Sequence, residues 1–351
     1  MSPDAPLRFA IQQLAQGVSL SGEQAAEAFG VVMRGAASPV QTAALLMGLR
    51  VKGETADELA GAARALRSVM VRVELGDAGG VVDTCGTGGG RVGTLNISTA
   101  AAFVVAGAGV SVAKHGNRSY TSRSGSADVL EALGVNISLT PERAAEVLRE
   151  AGLVFLFAPM YHPAMRHAGP VRKELGAPTI MNLLGPLVNP AGVTRQVIGV
   201  SDEIRGPLIA HALAQLGTTH SLVLHAAVGM DEVSPCGLTR VWEVRGEVVE
   251  EWEIDPARHR LDSTDLLQLA GGEPAENAAR IERLLAGDGD PTVRCAVLLN
   301  AAAALYVSGR GWTMEEAVGR AEESLSNGGA GGVLRRIREC GSDQWQVTSD
   351  K

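Results

Sequence analysis

Residues 83 to 99 read DTCGTGGGRVGTLNIST, and five of the eight positions from Gly86 to Gly93 are glycine. Glycine tolerates positive φ and lets another group approach the backbone closely, so a loop of this kind can converge amide groups on an anion. Ser98 and Thr99, where a helix would open, add hydroxyls and the positive end of a helix dipole. The stretch therefore reads either as a phosphate cradle or as an ordinary strand-to-helix turn. No Gly-Lys-Ser/Thr follows it, and the compact GxGxxG fingerprint is absent, so it is neither a Walker loop nor a dinucleotide fingerprint.

Three further segments carry chemistry. KHGNRSYTSRSGSAD, Lys114 to Asp128, follows the β-branched run VSV and offers cations beside Asn117, Ser119, Thr121, Ser122, Ser124 and Ser126. Point charges and hydroxyl donors together suit a phosphate, although a polar loop can equally be solvated. His115 in this loop reads as a structural hydrogen-bonding histidine or as a base. HAAVGMDEVSP places Asp231 and Glu232 just past an apolar strand. Adjacent carboxylates there supply the hard oxygen ligands that Mg²⁺ needs, unless they are simply surface. Arg172, in PVRKELG, has the planar fork that suits a carboxylate, or is a solvated helical residue. The basic run Leu334 to Arg338 is assigned to the solvated face of a late amphipathic helix.

The elements that would position these groups fall into two textures. Residues 1 to about 70 read as consecutive helices, with capping-box spacing at Ser21/Gln24, Ser38/Gln41 and Thr55/Glu58 and with Pro39 at the first helical position. Val40, Ala43, Ala44 and Met47 repeat at helical spacing and predict one buried face. From about residue 80, short apolar runs alternate with helical segments. Strands are expected at 80–83, 110–114, 154–158, 196–200 and 221–225. Helices are expected near 98–108, 127–134, 141–151, 203–216, 276–286, 291–307 and 313–325. Such alternation argues for an α/β fold with a largely parallel central sheet behind a small N-terminal helical domain, and sheets of this kind bind ligands outside the C-terminal ends of their strands. Residues 162 to 190 break the alternation with several prolines and read as an excursion toward the helical unit.

With 351 residues, 46% of them hydrophobic, the chain can bury a large core. A formal net charge of −8 argues against a general nucleic-acid binder while leaving room for a local cationic pocket. Four cysteines without metal-finger or CxxC spacing suggest neither a disulfide framework nor a zinc site. With no secretory leader and no long apolar span, the expected location is the cytoplasm.

In combination, GTGG at 86–89, NIST at 96–99, KHGNRS at 114–119, SGSADVLEALG at 124–134, FLFAP at 155–159, HPAM at 162–165, NLLGPLVNPAG at 182–192 and DEVSP at 231–235 resemble the anthranilate phosphoribosyltransferase family of tryptophan biosynthesis. The resemblance runs in family order to about residue 338. It implies a homodimer and a helical domain at residues 1–75 joined in space by about 162–190. Residues 76–351 would form an α/β domain that binds 5-phosphoribosyl 1-diphosphate. That substrate would contact Gly86, Gly89, Gly90, Thr94, Asn96, Ile97, Ser98, Thr99, Lys114, His115, Gly116, Asn117, Arg118, Ser119, Tyr120, Thr121, Ser122 and Ser126. Ser98, Asp231 and Glu232 would hold Mg²⁺. Anthranilate would meet Gly86, Asn117 and Arg172, with His115, His162, Met165 and Pro186 lining its route, and Lys114, His115 and Arg172 would carry the catalytic roles.

Two other functions share these features: a pyrimidine nucleoside phosphorylase, and a non-catalytic nucleic-acid-binding relative of the same fold. KHGNRS with DEVSP favours the transferase over the first, while Asp231, Glu232, Arg172 and the acidic surface count against the second. One position departs from the family pattern: many members carry Asp after GTGG, where this chain has Gly90. The missing carboxylate predicts weaker binding of a second Mg²⁺. Gly90→Asp is expected to lower the Mg²⁺ concentration needed for full activity; an unchanged metal dependence would remove the idea.

Overall fold

The computed structural model describes residues 3–76, 80–89, 92–119 and 123–342. Four helices come first: α1 (Ala5–Ala15), α2 (Gly22–Met33), α3 (Pro39–Lys52) and α4 (Ala56–Arg67). All three capping boxes form, with Ser21, Ser38 and Thr55 each accepting from the backbone three residues on. Glu58 does more than cap. Fully buried, it accepts from the Leu20 and Thr55 amides at 2.9 Å each and from Lys52 Nζ at 3.0 Å, so one carboxylate joins the starts of α2 and α4 to the end of α3.

The buried face of α3 is not the expected one. Thr42, Leu45, Leu46 and Leu49 point inward, whereas Val40 is 78% exposed and Ala43, Ala44 and Met47 are only half-buried. Both stripes obey the same helical spacing, and the bulkier leucines take the interior because they remove more apolar area from water.

The larger part of the chain continues as β1 (Asp83–Gly86), α5 (Ile97–Gly107), β2 (Val112–Gly116), α6 (Ser126–Ala132), α7 (Pro141–Ala151), β3 (Leu153–Phe157), α8 (Ala158–Tyr161) and α9 (Gly169–Leu175). After these come β4 (Arg195–Gly199), α10 (Arg205–Gln215), β5 (His220–Ala226), β6 (Thr239–Arg245), β7 (Val248–Ile254), α11 (Pro274–Leu285), α12 (Pro291–Val307), α13 (Met314–Ser326) and α14 (Gly329–Ser342). β1, β4 and β5 pair in parallel, β2 pairs in parallel with β3, and a bridge between Val82 and Val112 joins the two sets. β6 and β7 extend the sheet as an antiparallel hairpin that the expected strands did not include. The first strand also lies three residues later than expected, at 83–86 instead of 80–83.

Alternate residues of the central strands belong to different cores. Val197, Leu222, Leu224 and Val241 face a cluster built with α5, α7, α12 and α14, while Ile198, Val223, Trp242 and Val244 face one shared with α10 and helices α1 to α4. Period-two side-chain alternation thus lets one sheet serve as the wall between two apolar interiors.

Residues 164–188 also enter the second core, where α9 and the 3-10 turns around it pack on α2 and α3. The crossings between the helices and the sheet run side by side: the Val71 amide donates to Tyr161 O at 2.8 Å and the Val73 amide to Pro190 O at 3.1 Å. Among the described residues, no helix is long and apolar enough to cross a membrane.

Candidate active site

The C-terminal ends of β1, β4 and β5 meet at one place. β1 runs straight into the glycine loop, whose Gly88 and Gly89 take φ of +68° and +81°, values that L side chains rarely adopt. The Thr87 amide donates to Gly199 O at 2.9 Å, tying the loop to the end of β4. Past β5 the chain turns back so that the Asp231 backbone lies against Gly199, where a Cβ would collide with the Asp231 carbonyl. The Asp231 carboxylate in turn lies beside Gly86. Close approach of three backbones is what these glycines permit.

Thr84, Cys85, Ser98, Gly199, Asp231, Glu232 and Asn300 line a small cavity beneath this junction. A larger, open depression at the antiparallel edge, lined by Glu243, Glu250, Glu251, Trp252 and Tyr306, is remote from the glycine loop. Thr94 Oγ1 donates to Glu232 Oε2 at 2.8 Å. Burial, with the neighbouring Asp231 charge adding to it, pushes the Glu232 carboxyl up to about 8, and burial raises Asp231 as well. Two deep carboxylates that repel each other next to a serine hydroxyl form a donor set short of positive charge. That set fits a hard divalent cation that keeps waters and shares the remaining positions with substrate phosphates.

Lys114 lies underneath this arrangement. It is 3% exposed, and its ammonium donates to Thr84 O and, at 3.2 Å, to Ser98 Oγ, with Thr84 Oγ1 at 3.4 Å. Burial lowers its pKa and the Asp83 carboxylate opposes the shift. Lys114, expected to contact the diphosphate substrate, is held here on Thr84 and Ser98 at the floor of the glycine loop.

His115 is equally enclosed. Its Nδ1 bonds Gly185 O at 3.0 Å, its Nε2 lies 3.2 Å from His162 Nε2, and its amide donates to Asp83 Oδ1 at 3.2 Å. An acceptor carbonyl at Nδ1 requires the proton there, so His115 Nε2 accepts and His162 donates. Burial holds the two rings down at about 3 and about 4, and of the two roles open to His115 this geometry supports the hydrogen-bonding one.

The remaining expected residues divide by where their polar atoms go. Asn96 opens α5 and is fixed by Ser124 and Asn277. Ile97 is fully buried and Thr99 is 1% exposed, so their side chains belong to the core and only the helix start they build faces the loop. Arg118 turns to α6, pairing with Asp128 at 2.9 Å and Glu131 at 2.5 Å and stacking over Phe157; a phosphate would have to draw it from two carboxylates. Asp128 also accepts from the Ser119 and Gly125 amides, and Ser126 Oγ donates to Asn117 O at 3.3 Å, which closes the loop that begins at Gly116. Arg172 is half-buried on α9, Met165 is half-buried in the turn before it, and Pro186 is buried. Gly90, Tyr120, Thr121 and Ser122 lie outside the described residues.

Several polar residues to which the sequence assigned no role hold the site. Asp83 is fully buried and accepts from Asn189 Nδ2 at 2.8 Å and from Gln196 Nε2 at 3.5 Å; Asn189 also reaches Ala113 O at 2.8 Å. The signal for Asp83 and Gln196 was a polar side chain directly adjoining an apolar run, visible in VVDTCG and RQVIGV.

Both parts of the chain match models of one class of protein. Residues 8–70 match the helical bundle domain of a glycosyl transferase family, and residues 78–331 match its a/b domain. Among individual relatives, the anthranilate phosphoribosyltransferase of Rubrobacter xylanophilus is 49% identical over 336 residues, spanning 94% of this chain and 96% of the relative. The Thermus thermophilus crystal structure of that name is 42% identical, covers 94% of this chain and 98% of its own, and superposes with a TM-score of 0.89. A Saccharomyces cerevisiae anthranilate phosphoribosyltransferase in complex with PRPP and Mg is 28% identical, covers 97% of this chain and 98% of its own, and gives a TM-score of 0.88. The chain belongs to the anthranilate phosphoribosyltransferase family. Neither the nucleoside phosphorylase nor the nucleic-acid-binding reading finds comparable support.

The histidine pair makes a pH prediction. Both folded pKa values lie below the ordinary 6.5, so between pH 6.5 and about 4 the unfolded chain binds protons that the folded chain refuses, and stability falls as pH falls through that window. His162→Gln, which keeps a donor toward His115, is expected to flatten the acid limb of a Tm-against-pH curve and to leave the limb above pH 7 unchanged.

Proposed function

We propose that this chain transfers the 5-phosphoribosyl group of 5-phosphoribosyl 1-diphosphate to the amine of anthranilate, forming N-(5-phosphoribosyl)anthranilate and diphosphate in tryptophan biosynthesis. The observation that carries this reading is the convergence of the glycine loop, the start of α5 and the Asp231–Glu232 pair at the C-terminal ends of the parallel strands. In this reading residues 76–351 bind the diphosphate substrate, and residues 1–75 with about 162–190 supply the helical side of the cleft.

Ser98, Asp231 and Glu232 would hold Mg²⁺, which supplies neutralising charge to the departing diphosphate when bound. The chain's own contribution is positioning and electrostatics. The glycine loop, tied to β4 through its Thr87 amide, and the start of α5 would border the leaving group, and Lys114 raises the local potential from beneath. Arg172 orients the anthranilate carboxylate so that the amine is directed at ribose C1, while Pro186, Met165, His115 and His162 wall its ring from water. As the C1–oxygen bond breaks, the electron pair leaves with diphosphate, the amine lone pair forms the new C–N bond, and the nitrogen gives up one proton to water. No side-chain nucleophile is needed. The substrates, and the absence of a spanning helix among the described residues, agree with a cytoplasmic enzyme.

The apolar stripe of α3 acquires a use here. Phe9, Val40 and Val51 are 43%, 78% and 82% exposed on the packed pair α1 and α3, and this face is where a second copy would dock to form the homodimer. Val40→Glu with Val51→Glu is expected to halve the mass measured by sedimentation while leaving the helical content unchanged.

Loss of anthranilate fluorescence that requires both 5-phosphoribosyl 1-diphosphate and Mg²⁺ is the expected result for the parent enzyme, and no turnover at any metal concentration would overturn the reading. Asp231→Ala with Glu232→Ala should lower kcat by on the order of a thousandfold. Arg172→Ala should raise KM for anthranilate by on the order of tenfold to a hundredfold with little change for the diphosphate substrate.

A further inference from the structure

The short 3-10 turn Gly185–Leu187 carries Pro186, and three of its successive carbonyls are taken by side chains from three different elements. Gly185 O accepts from His115 Nδ1 of β2 at 3.0 Å, Pro186 O from Gln196 Nε2 of β4 at 2.8 Å, and Leu187 O from Arg67 Nε at the end of α4 at 2.7 Å. A turn this short leaves most of its carbonyls without internal partners, and proline has no N–H with which to anchor itself, so donors from outside decide where the turn sits.

The three donors are not equivalent. His115 belongs to the loop that would bind the diphosphate substrate. Gln196 also reaches Asp83 Oδ2 at 3.5 Å, the carboxylate beside Lys114. Arg67 comes from the helical part of the chain, 120 positions away, and no carboxylate pairs with it among the described residues. Burial and the nearby Arg72 work against its charge. A half-buried guanidinium kept on a carbonyl rather than an acid forms a charge-assisted bond whose other end is the wall of the acceptor pocket.

We propose that Arg67 and Gln196 are positioning residues for anthranilate: from opposite sides they clamp the Gly185–Leu187 turn, so that Pro186 closes the acceptor pocket only when the helical bundle is docked on the sheet. The proposal rests on the reading that Pro186 and Arg172 line that pocket. Neither positioning residue touches the substrate, so the effect of losing one falls on how well the pocket is formed.

Steady-state kinetics of the full chain test this with Arg67→Met, Arg67→Lys and Gln196→Leu, each varied against both substrates, with Arg172→Ala as the control for the pocket. Arg67→Met and Gln196→Leu are expected to raise KM for anthranilate by roughly tenfold. KM for 5-phosphoribosyl 1-diphosphate and the Mg²⁺ requirement should stay within about twofold. Arg67→Lys, which keeps a charged donor at this half-buried position, should recover part of the loss. A parallel rise in both KM values, or an unchanged anthranilate KM in variants of lowered Tm, would show a merely structural role and overturn the proposal. Should Arg67→Met leave the anthranilate KM intact while Arg172→Ala raises it, the clamp fails and the pocket stands. If Arg172→Ala also has no effect, the pocket assignment itself fails and takes the clamp with it.

Discussion

A single buried carboxylate, Asp83, is the constraint on which the site depends. It accepts from the His115 amide, from Asn189 and from Gln196, and it stands against the buried charge of Lys114. Removing an ion from water is expensive, and burial accordingly raises Asp83 while Lys114 draws it back. Such a pair persists only where hydrogen bonds satisfy the remaining lone pairs. Here those bonds come from β2, β4 and the turn preceding β4, so the cost of burying Asp83 is offset only when all three segments are in register. The pair contributes specificity of arrangement more than stability.

Around that centre the charges are layered. Lys114 is on the floor with Ser98 within its reach, and the Asp231–Glu232 pair lines the same small cavity as Ser98. The acidic pair is unfavourable by itself, since desolvation and mutual repulsion both favour its protonated form. In the proposed reaction a divalent cation would neutralise the carboxylates, and a diphosphate would bring the hard oxygens that such a cation favours. A cavity that is electrostatically incomplete without its substrates is a preorganised one. Its histidine neighbours stay neutral for the same reason, burial, and so serve as walls and hydrogen-bond partners rather than as charges.

Much of this was legible in the chain. The capping boxes of the first helices, the alternation of strand and helix, the DEVSP carboxylates and the glycine loop all have local causes, namely cap chemistry, periodicity and the freedom of glycine. The antiparallel hairpin β6–β7 was not legible, because its outer strand, VVEEWEI, faces water and carries glutamates at the edge of the sheet, where charge discourages further pairing. The displaced start of β1 has a related cause: Asp83 and Thr84 look like the end of a strand, and are buried within one because Asn189, Gln196 and Lys114 come from far along the chain to meet them. For Arg118 and Lys114 the motif shows cations in a polar loop, yet where their protons point is decided by Asp128, Glu131, Thr84 and Ser98.

The sequence by itself determined which groups are present and which local conformations they favour, down to the family whose motifs they spell. Only the tertiary structure decided which stripe of α3 is interior, that Lys114 donates to Thr84 and Ser98 beneath the glycine loop, and that Arg67, His115 and Gln196 hold three neighbouring carbonyls of one turn. The physical reason is the same in each case. Burial, hydrogen-bond satisfaction and buried charge are properties of groups that meet across 10 to 120 positions of chain, and no local pattern records who those partners are.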